Sequence, residues 1–191
     1  KAKMLEILSN QQYALRLPND NDIRTYLLSP DSNFYNLRSG KFIQSLIEEK
    51  LTRNRPALND KLLQVEHIMP QTLNETWKIE LGENYKEIHD SYLNNIGNLT
   101  LIRHNQELSN LSFENKKEIY ENNAGMQITK NKIIDQQSWG VEQIKERAEY
   151  LVSILINNVL PNNNELKTSN NYSSEKKSTG NRLSFRSLGL I

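Results

Sequence analysis

The sequence contains no cysteine. That absence excludes disulfides, thiolate zinc sites and a thiol nucleophile together, so any metal must sit on His, Asp, Glu or an amide oxygen. Long apolar runs are missing as well. No stretch approaches the roughly 18 residues that a membrane span requires, and the opening Lys1-Ala2-Lys3-Met4-Leu5 lacks the apolar core of a secretion signal. A cytoplasmic protein that touches no membrane is the expectation. Aromatic residues make up only 7% of the chain and form no cluster that would stack nucleic-acid bases. An excess of one charge is lacking too: the net charge of +1 excludes a polycation that holds DNA by bulk attraction. The charge is unevenly placed, however. Residues 161–191 carry Lys167, Lys176, Lys177, Arg182 and Arg186 against Glu165 and Glu175, which leaves the tail at +3 and the remainder at −2.

What is present is a chain of 191 residues, enough for one domain with an appendage and a real core. Its first residue is Lys, and the expectation is a piece of a longer polypeptide with domains on its N-terminal side. Leu5, Leu8 and Leu15 at helical spacing predict a helix from Met4 to Leu17, ended by Pro18 and Asn19-Asp20. The apolar stripe Phe42, Ile43, Leu46, Ile47 and Leu51 predicts a second over Lys41 to Leu51. Leu62 to Ile68, bounded by Pro70, reads as a strand or extended turn. An irregular stretch holding Trp77, Gly82, Tyr85 and Tyr92 follows, and after Gly97 the run Asn98-Leu99-Thr100-Leu101-Ile102 reads as another strand. Ser112 caps a predicted helix carrying Phe113 and Tyr120. The longest periodic element, Ser138 to Leu160, spaces Val141, Ile144, Ala148, Leu151, Leu155 and Val159 by three or four and reads as a packing helix. Beyond Pro161 the sequence is Asn/Ser-rich and aperiodic, although Leu183 to Leu188 has the pattern of a short strand.

Two constellations carry chemistry. Glu66-His67 sets a carboxylate beside an imidazole where an apolar strand stops. Strand neighbours point to opposite faces, so the pair converges on one centre only if the strand end or a bulge re-aims one of them. By itself the dipeptide reads more readily as a surface pair. The second constellation runs Gly97-Asn98-Leu99-Thr100-Leu101-Ile102, then Asn105, Leu108-Ser109-Asn110, Phe113 and Lys116.

Taken jointly, EHIMPQ, IGNLTLI, Asn105, LSN, Phe113 and Lys116, with the later Trp139, Ile144 and Arg147, resemble the C-terminal HNH (His-Me finger) domain of GmrSD-type modification-dependent restriction endonucleases, whose relatives include sensors of phosphorothioated DNA. The resemblance covers roughly Phe42 to Leu160. It implies an α+β, mostly α fold: a helical domain (41–160) containing a ββα-metal motif, preceded by an N-terminal helical segment (1–40) and followed by a basic tail (161–191). It further implies a nicking DNA endonuclease of an anti-phage system. His67 matches the general base, Glu66 a metal ligand, Asn98 the asparagine that braces the loop and holds the histidine in register, and Asn105 an oxygen ligand to the metal. Asn110 and Lys116 match positions of supporting or phosphate-contacting character. His104 satisfies the literal third histidine of an HNH pattern and competes with Asn105 as the ligand. It is otherwise a DNA contact, like Arg103.

The residue types suit that chemistry independently. An imidazole with pKa near 6.5 serves as a base close to neutral pH, and Mg²⁺, with Mn²⁺ as substitute, prefers oxygen ligands such as Glu66 and Asn105. Arg103, Lys116, Lys117, Lys130 and Lys132 are candidates for a phosphate track, although Lys130 and Lys132 read more simply as solvated surface. His89 has no companion and reads as structural or exposed. The expected partners are DNA, including modified phage DNA, and a ParB-like NTP-hydrolysing domain or subunit. No glycine-rich phosphate loop occurs in this chain. Two other classes stay open: a non-catalytic nucleic-acid-binding module with the same fold, and a helical interaction scaffold.

Overall fold

A computed structural model describes residues 18–103, 108–123 and 125–160. They carry six α-helices and two strands, an α+β fold that is mostly α. The helix expected from Met4 to Leu17 and the whole tail lie outside the described residues.

Pro18-Asn19-Asp20 marks a helix start. Asn19 Oδ1 accepts from the Asp22 backbone N–H at 2.9 Å and Asp22 Oδ2 accepts from the Asn19 N–H at 2.8 Å, a reciprocal capping box that opens α1 (Asp20–Leu28). α1 belongs to the main unit, because Leu27 enters the same core as Ala148, Leu151 and Val152. Asn95 Nδ2 also donates to the Ser29 carbonyl at 3.0 Å. Residues 18–160 form one compact unit.

α2 (Gly40–Thr52) follows, within a residue of its expected span. β1 (Leu63–His67) and β2 (Leu99–Arg103) pair antiparallel, with Glu66 opposite Thr100 and His67 opposite Leu99. Between them stand two helices where irregular chain was expected: α3 (Glu75–Leu81), capped by Asn74 Oδ1 on the Trp77 N–H at 3.1 Å and ended at Gly82 (φ 79°), and α4 (Tyr85–Tyr92). Elements of seven and eight residues span about two turns, too few to display an apolar stripe. α5 (Phe113–Asn123) starts after Ser112, whose Oγ accepts from the Asn115 N–H at 3.4 Å. α6 (Val141–Ile154) continues into a π-turn, Leu155–Val159, and opens three residues later than expected.

The two-stranded ribbon separates two cores. Leu63, Leu99 and Leu101 pack with α1, α2 and α6, while Ile102 packs with α3, α4 and α5 around Trp77, Phe113, Tyr120 and Trp139. This is the period-2 alternation of a strand covered on both faces. A single 3₁₀ turn, Ile96–Asn98, leads into β2, and α6 lies directly on it. A Cβ on Gly97 would stand 2.0 Å from the Ile144 carbonyl oxygen, so only glycine permits this approach. Arg147 of α6, wholly buried, donates to the carbonyls of Gly97 and Leu99 (both 2.8 Å) and Ile128 (2.9 Å). Burial lowers its pKa to about 9, which leaves it charged at neutral pH. The helix thereby fixes the turn that carries Asn98.

Candidate active site

β1 ends in a cleft of about 420 Å³. Gln64, Val65, Glu66 and His67 line it consecutively, which alternating side chains on one face of a strand cannot do; the cleft therefore follows the outer edge of β1. The carbonyls on that edge are covered by lysines: Lys41 Nζ donates to Leu63 O at 2.6 Å and Lys116 Nζ to His67 O at 2.8 Å. Glu66 and His67 thus keep to opposite faces of the ribbon, as strand geometry requires, and still border the same opening. Tyr35, Pro70, Gln71, Thr72, Ser109 and Asn110 complete the lining, none of them charged.

His67 is buried to 6% exposure. Its Nε2 lies 3.2 Å from Asn94 Oδ1, and its ring packs on Tyr35 with centroids 4.5 Å apart. An amide oxygen only accepts, so Nε2 carries the proton and the lone pair of the neutral imidazole is at Nδ1. Burial pushes the imidazole down to about 4; the hydrogen bond it donates to Asn94 opposes this, and the charge of Lys116 adds to it. His67 is therefore unprotonated across the neutral range.

Beneath the floor, Lys116 of α5 is fully buried, and its ammonium meets Glu66 Oε1 at 2.7 Å as well as the His67 carbonyl. Burial lowers its pKa, and Glu66 counteracts that. One cation thus holds the Glu66 side chain and the His67 backbone, anchoring adjacent residues to one helix. Tyr120, one turn further along α5, is buried beside this pair, and its pKa rises through burial and then through the charge of Glu66.

The turn after His67 hangs on Asn98. Its Oδ1 accepts from the Met69 N–H (2.8 Å) and from Trp139 Nε1–H (3.0 Å), and its Nδ2 donates to Met69 O (3.0 Å) and Leu93 O (2.9 Å). His89, the histidine read as lacking a companion, lies with Nε2 2.9 Å from the Pro70 carbonyl on the same turn.

The sequence model of the GmrSD restriction endonucleases, C-terminal domain, matches residues 17–154. The chain belongs to this family. Among curated proteins none matches the sequence. The match begins well before Phe42, where the resemblance was expected to start, and so includes α1, in agreement with its packing. Membership gives this GmrSD domain a nuclease-type function in a restriction system that acts on DNA.

Within the GmrSD domain the structure brings together Glu66, His67, Asn110 and Lys116, with Asn98 one shell behind them. Asn105 and His104 lie outside the described residues. Lys116 was expected among supporting or phosphate-contacting groups; its ammonium is wholly buried against Glu66, so it supports and does not reach a phosphate. Arg103 was expected to contact DNA, but its Nε pairs with Asp60 Oδ2 at 2.9 Å and it does not line the cleft. Lys117, Lys130 and Lys132 are likewise engaged, with Glu114, the Glu121 carbonyl and Glu146. Among the described residues there is no cluster of three or more His, Asp and Glu side chains that would hold a metal, and no helix is long and apolar enough to cross a membrane. Sequence reasoning missed Asn94 and Tyr35. Neither stands in a motif, and they meet His67 only through the fold.

Proposed function

We propose that this domain hydrolyses phosphodiester bonds in DNA, with His67 as general base and one divalent cation held by Glu66 and Asn105. The observation that carries the reading is a neutral imidazole, oriented through Nε2 and held beside a carboxylate in one polar cleft. The donor set fits a hard ion: a carboxylate with amide and hydroxyl oxygens around it suits Mg²⁺, which is content with one or two carboxylates and several waters. When bound, such an ion, with Mn²⁺ as substitute, supplies positive charge to the phosphate and to the leaving 3′ oxygen.

His67 takes the proton from the attacking water at Nδ1, and the resulting imidazolium is stabilised through Nε2–H by Asn94 Oδ1. Asn98 keeps the Met69 turn, and with it the imidazole, in place. Lys116 keeps the Glu66 carboxylate at the floor. A single centre cuts one strand per visit, so the first product is a nick. Specificity for modified phage DNA is assigned to a ParB-like NTP-hydrolysing partner domain or subunit, and the site of action to the cytoplasm.

One observation favours the alternative of a non-catalytic nucleic-acid-binding module: Glu66 already has an ammonium beside it. Incubating supercoiled plasmid with the protein in Mg²⁺ or Mn²⁺ separates the two. Nicking that disappears in EDTA and in His67→Ala supports the enzyme; binding without nicking supports the module.

A further inference from the structure

Tyr35 breaks the pattern of the cleft. Beside the amides, hydroxyls, Val65, Pro70 and the Glu66-His67 pair of the other walls, Tyr35 sets a phenol ring, 41% exposed, against the imidazole at 4.5 Å between centroids and 52° between planes. Its position is built in. The backbone N–H groups of Phe34 and Tyr35 both donate to the Asn94 carbonyl, at 3.0 and 3.3 Å, while the side chain of the same Asn94 meets His67. Phe34 is anchored in the core, and a Cβ on Gly40 would stand 2.9 Å from the Phe34 carbonyl oxygen, so the start of α2 closes on the turn without a side chain between them. Asn94 therefore fixes the imidazole and the aromatic ring relative to each other.

We propose that Tyr35 is a substrate-positioning residue: one side of its ring steadies His67, and its exposed side packs against the nucleoside adjoining the phosphate that His67 serves. This rests on the nuclease reading given above. No lysine or arginine side chain lines the cleft among the described residues, and Lys116 below it is buried, so none of the described side chains there offers the substrate a positive charge. An aromatic face accepts any base or deoxyribose, because each presents an apolar surface to it. Sequence-independent positioning of that kind suits a cutting domain whose specificity lies elsewhere.

The test uses the whole chain, wild type beside Tyr35→Phe, Tyr35→Leu and Tyr35→Ala. Affinity for a short fluorescein-labelled DNA oligonucleotide is read by anisotropy in EDTA, where no cleavage is expected, and KM and kcat for nicking are read in Mg²⁺. Tyr35→Ala and Tyr35→Leu should weaken affinity roughly ten- to a hundredfold, the range of one stacked base, with a matching rise in KM and an unchanged melting temperature. Tyr35→Phe, which keeps the ring, should stay within about twofold of wild type. An alanine variant that binds like wild type overturns the proposal, and so does a phenylalanine variant that loses as much as alanine. Leucine retains the bulk of the ring and decides the matter if alanine does not fold. Should wild type bind DNA in a Tyr35-dependent way and never nick it, the nuclease reading falls and the positioning role stands.

Discussion

Replacing Asn98 with alanine removes four hydrogen bonds at one wholly buried position. The Met69 N–H and C=O, the Leu93 C=O and the Trp139 indole N–H lose their partner together. Each buried polar group left unsatisfied costs about 1–3 kcal/mol. The four share one cavity that can relax or admit water, so the sum is smaller than four separate losses, about 3–5 kcal/mol. Against a total of about 5–15 kcal/mol for a domain, that loss is large, and it should lower the melting temperature by roughly 10–15 °C in a domain of this size. Urea unfolding followed by circular dichroism measures it, with an unchanged slope showing that the unfolded state is not the cause. Asn98→Asp sharpens the reasoning. It keeps the acceptor for Met69 and Trp139 but turns a second oxygen toward the carbonyls of Met69 and Leu93, so it should be no better than alanine. An alanine variant within about 1 kcal/mol of wild type, or an aspartate variant that restores stability, would refute the claim that this asparagine braces the turn.

The lowered pKa of His67 makes a pH prediction for the metal-free protein. The unfolded chain binds a proton near 6.5 and the folded chain only near 4, so stability is fully present above pH 6.5 and is lost as pH falls through 4, by about 3 kcal/mol in all. Unfolding measured in EDTA across that window should show this loss in wild type relative to His67→Gln, and parallel pH curves would count against it. Lys116→Met removes the ammonium from beside a nearly buried carboxylate and should cost about 3–5 kcal/mol. Adding Glu66→Gln should recover part of that cost, and strictly additive losses in the double-mutant cycle would show that the two groups do not interact.

How legible this was depended on the range of the interaction. α2 and α6 followed from apolar periodicity, α5 from its Ser112 cap, and both strands from short apolar runs beside Pro70 and Gly97; their ends fell within one to three residues, except that α6 gives way to a π-turn after Ile154. α1 was lost because Pro18-Asn19-Asp20 was read only for the segment before it, whereas Asn19 caps the helix that follows. α3 and α4 were lost because two turns carry no period. The Glu66-His67 pair and the supporting place of Asn98 came from a family pattern, and packing then added what no pattern contains. Asn94 lies 27 positions from the histidine it orients, and Lys116 50 positions from the carboxylate it holds. Lysine on an amphipathic helix is ordinarily solvated, so its burial here could not be read from its neighbours. Arg103 stays exposed, but its partner Asp60 lies 43 positions away and was equally beyond the reach of local sequence.

The proposed reaction depends above all on His67 as its base. Single-turnover cleavage of a labelled DNA duplex in saturating Mg²⁺ should slow by roughly 10²–10⁴-fold in His67→Ala while the circular dichroism spectrum stays native, and added imidazole should restore part of the rate. A folded His67→Ala protein that cleaves as fast as wild type would contradict it.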